Sequence, residues 1–405
     1  MNTKKWLSVA IFSLVVVATL GVLLRYKITF SLPAINQKFL QHSHSHFAMS
    51  GWLTQLLMIL LASSVSRTIG LNHFKNYNVV LFANILASYG MLISFIFQGY
   101  GAVSISLSTL SVICTYYFGV QLWRDMNRSH AKLPGFIWFK AAIVFAVLSS
   151  FGVGMLGYLM ATKNVNINIQ QATTYFYLHF QYNGWLVFAC FGLLFNFLDS
   201  KGITIRNLER FFWVYAVACL PAYFLSTLWM HLPLSIYLIV ALSALLIFGG
   251  WIWLFMQLKP YVSQMTTGVA RWGKWLLALS ALAYTIKVFL QVGSMIPSLN
   301  NMAFGYRPIV IGYLHLVFLG VISLFLLGYL VSTAKIAYNR WLTTGFAVFV
   351  TGVILNELAL MVQGLSAMQY TTVPYINEIL MAITLIMFSG ALLINLGANR
   401  KAIKD

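Results

Sequence analysis

Apolar stretches of about twenty residues recur along nearly the whole chain, and in lipid a stretch of that kind must satisfy its backbone as a helix. They lie near 6–24, 47–66, 78–99, 102–123, 136–161, 174–198, 211–231, 232–256, 272–295, 309–334, 341–364 and 375–396. The sequence therefore predicts an all-α integral membrane protein of about twelve transmembrane helices, with the lipid bilayer as its first partner. Of the 405 residues, 60% are hydrophobic and 8% charged, which leaves too little polar surface to cover a soluble domain of this length.

The weakest division lies between spans seven and eight, where Pro233 and the polar edge around His231 interrupt a nearly continuous apolar run. Lys4 and Lys5 precede a first apolar run longer than a signal-peptide core, and no small-x-small cleavage site follows it. That run is expected to remain as a first span. No Pro-, Gly- or Ser-rich linker divides the chain, so residues 1–405 are read as one polytopic domain.

The formal charge of +19 is spread over short loops between apolar segments rather than gathered on one face, so no nucleic-acid partner is expected. Most basic residues fall in alternate loops, Arg67, Lys75, Arg124, Arg128, Lys201, Arg206 and Arg210 among them. Under the positive-inside rule those loops and both termini are cytoplasmic. Cys114, Cys190 and Cys219 sit inside apolar stretches without a C-x-x-C pair and read as small buried hydrophobes.

Of eight histidines, His73 and His130 fall in basic inside loops and read as solvated. His46 opens span two, His179 begins span six, His231 ends span seven and His315 begins span ten, which puts all four toward the outer side. Three share a context: His46-Phe-Ala-Met-Ser-Gly51, His179-Phe-Gln-Tyr-Asn-Gly184 and His315-Leu-Val-Phe-Leu-Gly320. In an α-helix the glycine lies roughly 140° around from its histidine. It serves either ordinary helix packing or the approach of a flat cofactor edge beside a ligand. Neutral imidazole is the common axial ligand of haem iron and also suits copper.

Histidines on spans two, six, seven and ten of twelve resemble subunit I of the haem-copper oxidase superfamily. Ser45-His46-Phe47-Ala48-Met49 looks like that family's span-two segment, and Leu228-Trp229-Met230-His231 looks like the end of its span seven. The resemblance implies a subunit I-like bundle in which His46 and His315 sandwich one low-spin haem b. His179 and His231 stand where copper ligands would be, in place of a fuller ligand set. The departures are large. Span ten carries Tyr313-Leu314-His315 where the family has His-x-His, and span six lacks the crosslinked tyrosine. A proton-pumping oxidase is therefore not implied, and the closer likeness is to outlying members such as the NnrS family of membrane haem proteins linked to nitric oxide stress.

The function expected from this likeness is electron transfer, or binding of a diatomic gas (NO or O2) at the outer side. The partner would be a c-type cytochrome or another membrane redox subunit, and the setting the cytoplasmic (inner) membrane of a bacterium. The run His42-x-His44-x-His46 also admits a separate metal role, on an extended segment or, if helical, through His42 and His46 at i, i+4 spacing. Arg307, about two turns before His315, is placed either to pair with a haem propionate or to anchor the interface. Lys287 in span nine and Glu357 in span eleven lie at similar depth and are candidates for an intramembrane charge pair. The alternative reading is a twelve-span secondary transporter that uses Lys287 and Glu357, a class often built from related halves, which this sequence does not show.

Overall fold

The computed structural model describes residues 2–70, 72–164, 166–230 and 232–400. All regular structure among them is helical, and twelve helices are long and apolar enough to cross a membrane. Spans one to six are Thr3–Thr29, Gln37–Ser66, His73–Gln98, Ala102–Arg128, Phe136–Ala161 and Ile167–Ser200. Spans seven to twelve are Leu208–Met230, Leu234–Thr266, Arg271–Gly293, Arg307–Ser332, Arg340–Met368 and Ile376–Ala398. A short helix, Pro297–Gly305, precedes span ten.

Span two begins at Gln37, well before its apolar stretch, because Asn36 caps the helix by accepting from the backbone N–H groups of Lys38 and Phe39. The polar run through His42, His44 and His46 is therefore helical rather than extended.

Contacts gather in two compact units, one of Met1–Lys132, Ala270–Gly273 and Leu326–Asp405, the other of Leu133–Val269 and Lys274–Phe325. In the first unit, spans eleven and twelve touch backbone to backbone. A Cβ added at Gly345 would meet Ile394 N at 2.7 Å, and one at Gly390 would meet Phe349 N at 2.4 Å. Gly352 and Gly397, each seven residues on from the first glycine of its own helix, repeat the approach against Met387 and Leu342. Without water to drive them together, membrane helices gain most from such close van der Waals contact. In the second unit the core is aromatic, with Trp138 within 5.5 Å of the rings of Phe188, Phe195, Phe211 and Phe212.

Candidate functional site: histidines at π-helical turns

Among the described residues, three spans leave the α-helical ladder for a π-helical segment with i→i+5 hydrogen bonds: Ala48–Thr54, Phe180–Leu186 and Leu316–Ser323. They occur in spans two, six and ten, at every fourth span. Each follows one of the repeat histidines within two residues and contains the repeat glycine. The wider ladder swings residue i+5 back toward the face of residue i, so the histidine and glycine are not on well-separated faces as α-helical spacing requires. Mid-helix π turns cost backbone stability and are found mostly where function needs a side chain re-aimed.

Side chains from neighbouring helices hold these segments. Asn84 in span three donates to the Ser50 carbonyl at 3.3 Å and to Gln55 Oε1 at 2.8 Å. The Gln55 amide donates in turn to the Leu81 carbonyl, and Ser111 donates to Asn84 Oδ1 at 3.0 Å. The network is buried and both amide side chains are paired at each end, the condition under which such a network rigidifies its surroundings. Ser280 in span nine donates to the Val321 carbonyl at 2.6 Å. Ser149 in span five donates to the Tyr177 carbonyl and to Gln181 Oε1 around the segment in span six.

The glycines serve packing. A Cβ at Gly184 would lie 2.4 Å from Phe145 Cβ, one at Gly51 would enter the Phe47 ring, and one at Gly320 would meet Ala283 Cβ at 3.1 Å.

His46 and His42 share one face of span two, as i, i+4 spacing requires. His46 Nε2 and the Tyr100 hydroxyl share a hydrogen bond of 3.0 Å, and the His46 ring stacks on Phe95 at 4.5 Å. His42 meets the Tyr100 ring edge-on at 4.6 Å. His44 points elsewhere, toward Gly21 of span one.

His315 is fixed differently. Its Nδ1 lies 2.8 Å from the Ile311 carbonyl, one turn earlier. A carbonyl only accepts, so Nδ1 carries the proton and Nε2 the lone pair; a backbone carbonyl on the far nitrogen is what commonly orients a histidine that ligates a metal. Arg307 opens the same helix and is exposed.

His179 is 2% exposed, and both its ring nitrogens are occupied. Nε2 donates to the Cys219 carbonyl at 2.9 Å, and Nδ1 accepts from the Asn183 amide at 3.1 Å. A copper ligand needs a nitrogen lone pair directed at the metal, and here the only one is turned to Asn183, so His179 does not fit that role as placed. His231 lies outside the described residues. Among the described residues, no three His, Cys, Asp or Glu side chains come together as a metal-ligand set. That holds for His42, His44, His46, His179 and His315 alike.

Lys287 is 2% exposed within the second unit. Its Nζ lies 5.1 Å from the Tyr284 ring centre, and it lines a small pocket with Asn183, Tyr215, Cys219 and Tyr284, closed by Phe188 and Ile247. The Tyr215 and Tyr284 hydroxyls are 2.5 Å apart. Glu357 belongs to the first unit, where it accepts from the Asn356 amide at 3.2 Å.

Sequence reasoning missed two groups. His73 is not solvated: its Nε2 lies 2.7 Å from Asp125 Oδ2, which also accepts from the Tyr77 hydroxyl at 2.5 Å. An aspartate among the basic residues at the end of span four was the available signal. The tyrosine pair gave none, since Tyr215 and Tyr284 come from separate spans, whereas Asn183 stands one turn after its partner His179 on the same span.

The sequence matches no protein-family model and no curated protein.

Proposed function

We infer that this chain is an integral membrane haem protein in which His46 and His315 would each hold haem b iron, as the likeness to subunit I implies. Its activity would be electron transfer or the binding of a diatomic gas at the outer side of the membrane. The observation that carries the reading is His315, whose tautomer is set by the Ile311 carbonyl at the start of a π-helical turn. That leaves Nε2 with the lone pair an axial ligand needs.

His46 fits with one local change, the exchange of its 3.0 Å contact with the neutral Tyr100 hydroxyl for iron. Phe95, stacked on the His46 ring, then holds the imidazole plane. Arg307 opens the helix that carries His315 and supplies a guanidinium for a propionate. When bound, the haem supplies a one-electron couple or an iron site for a gas. The protein residues bind it, orient the imidazoles and keep Nδ1 of His315 protonated. A copper centre is not part of the proposal, since both His179 nitrogens are taken.

The orientation with both termini in the cytoplasm, a bacterial inner membrane as the setting, and a c-type cytochrome or membrane subunit as partner belong to the same proposal. They rest on the distribution of basic residues and on the subunit I-like arrangement of histidines. The test is a pyridine haemochrome assay on protein purified after haem-replete expression: a stoichiometric b-type signal supports the reading, and haem-free protein sinks it.

The burial of Lys287 beside a small pocket favours transport as a second reading. A haem-free protein that catalyses proton-coupled uptake in vesicles, lost in Lys287→Met, would establish it.

A further inference from the structure

The pocket beside Lys287 is small and mostly apolar, with a few polar side chains, Asn183 and Lys287 among them, in its lining. Its free volume is about 10 Å³, close to the minimum that admits one water molecule. Every residue that lines it belongs to the second unit.

The direction of its Asn183 amide follows from His179. The Cys219 carbonyl can only accept, so His179 Nε2 is protonated and Nδ1 of the neutral ring is an acceptor. Asn183 must then turn its NH2 group to Nδ1, which fixes its Oδ1 on the opposite side. Asn183 is 7% exposed and lines the pocket, and its Oδ1 has no protein partner. A buried amide oxygen left without a donor costs about 1–3 kcal/mol.

Across the same pocket the groups are donors. Lys287 has three N–H bonds when charged, with a tyrosine ring as its aromatic neighbour. The Tyr215 and Tyr284 hydroxyls satisfy each other with one proton and retain one more. A guest must therefore accept from the lysine side and donate to Asn183 Oδ1. Water does both, whereas a halide would leave Asn183 unsatisfied.

We propose that this pocket binds a single internal water that accepts from Lys287 and donates to Asn183 Oδ1. The bound water links the lysine to His179 through the Asn183 amide. Lys287, the tyrosine pair and the water thus form a hydrated polar site inside the bundle, independent of whether the protein carries haem.

A cryo-EM map of the full chain in nanodiscs, at a resolution that shows ordered waters, tests this directly. The expected result is one density peak within hydrogen-bond distance of both Lys287 Nζ and Asn183 Oδ1, lost in Lys287→Met. The wild-type map decides the matter without any variant. An empty pocket in a map that resolves other internal waters overturns the proposal. So does a peak that strengthens when chloride is exchanged for bromide, since the guest would then be an anion.

Discussion

The hydroxyl of Ser280 in span nine donates to the carbonyl of Val321 in span ten across 2.6 Å, inside the π-helical segment that follows His315. A π turn spoils the α-helical ladder, and a carbonyl displaced by it needs a donor from outside the helix. Ser280→Ala removes that donor. The expected cost is about 0.5–1.5 kcal/mol, the range for interhelical hydrogen bonds in membranes, read as a lower thermal midpoint in detergent. Ser389→Ala, whose hydroxyl bonds only its own helix at the exposed face, should leave the midpoint unchanged.

Gly184→Ala should be harmful. The new methyl would sit 2.4 Å from Phe145 Cβ and 2.7 Å from its Cγ, and overpacking of this kind costs about 1–3 kcal/mol. At Gly154 and Gly157 an added Cβ meets nothing within 4 Å, so alanine there should be neutral or slightly stabilising. Size-exclusion profiles after a heat step separate the two outcomes.

His179→Ala leaves the Cys219 carbonyl and the Asn183 amide without their shared partner. A loss of about 1–3 kcal/mol for each unsatisfied buried group follows, again read as a lower midpoint. If the proposed haem is bound, protein that does fold should keep the b-type signal, because both His179 nitrogens are taken and it is not among the proposed ligands. A haem signal lost in folded His179→Ala would restore the ligand role.

Lys335 lies in the loop between spans ten and eleven, donates to Ser63 Oγ at 3.0 Å, and is held below the usual lysine range at about 8 by burial and by Arg67. Its folded-state pKa is thus lower than its unfolded one, and between about pH 8 and the ordinary lysine range the unfolded chain binds more protons. The penalty for holding Lys335 charged is present below that window and is relieved as pH rises through it. Stability should therefore increase over this interval by a component that disappears in Lys335→Met, as pH-dependent thermal unfolding of the two proteins would reveal.

Hydropathy made the twelve helices visible because lipid tolerates few alternatives to a long apolar helix. It hid the start of span two, since Gln37 through His46 is polar and its helix depends on the Asn36 cap. The π turns have no periodicity of their own in a sequence. Their one trace was the repeated histidine and glycine at His46, His179 and His315, whose meaning depended on a helix geometry that α-helical spacing misstates. The environment of Lys287 was hidden for another reason: Asn183 and Tyr215 reach its pocket from spans six and seven, about seventy to a hundred residues earlier in the chain.

The central claim concerns His46 and His315. Reduced-minus-oxidised absorption spectra of the wild type, His46→Ala, His315→Ala and His179→Ala, each purified after haem-replete expression, test it most directly. The account predicts a b-type signal in the wild type and in His179→Ala that is lost in both other variants. A haem-free wild type, or a signal that survives in both His46→Ala and His315→Ala, would contradict it.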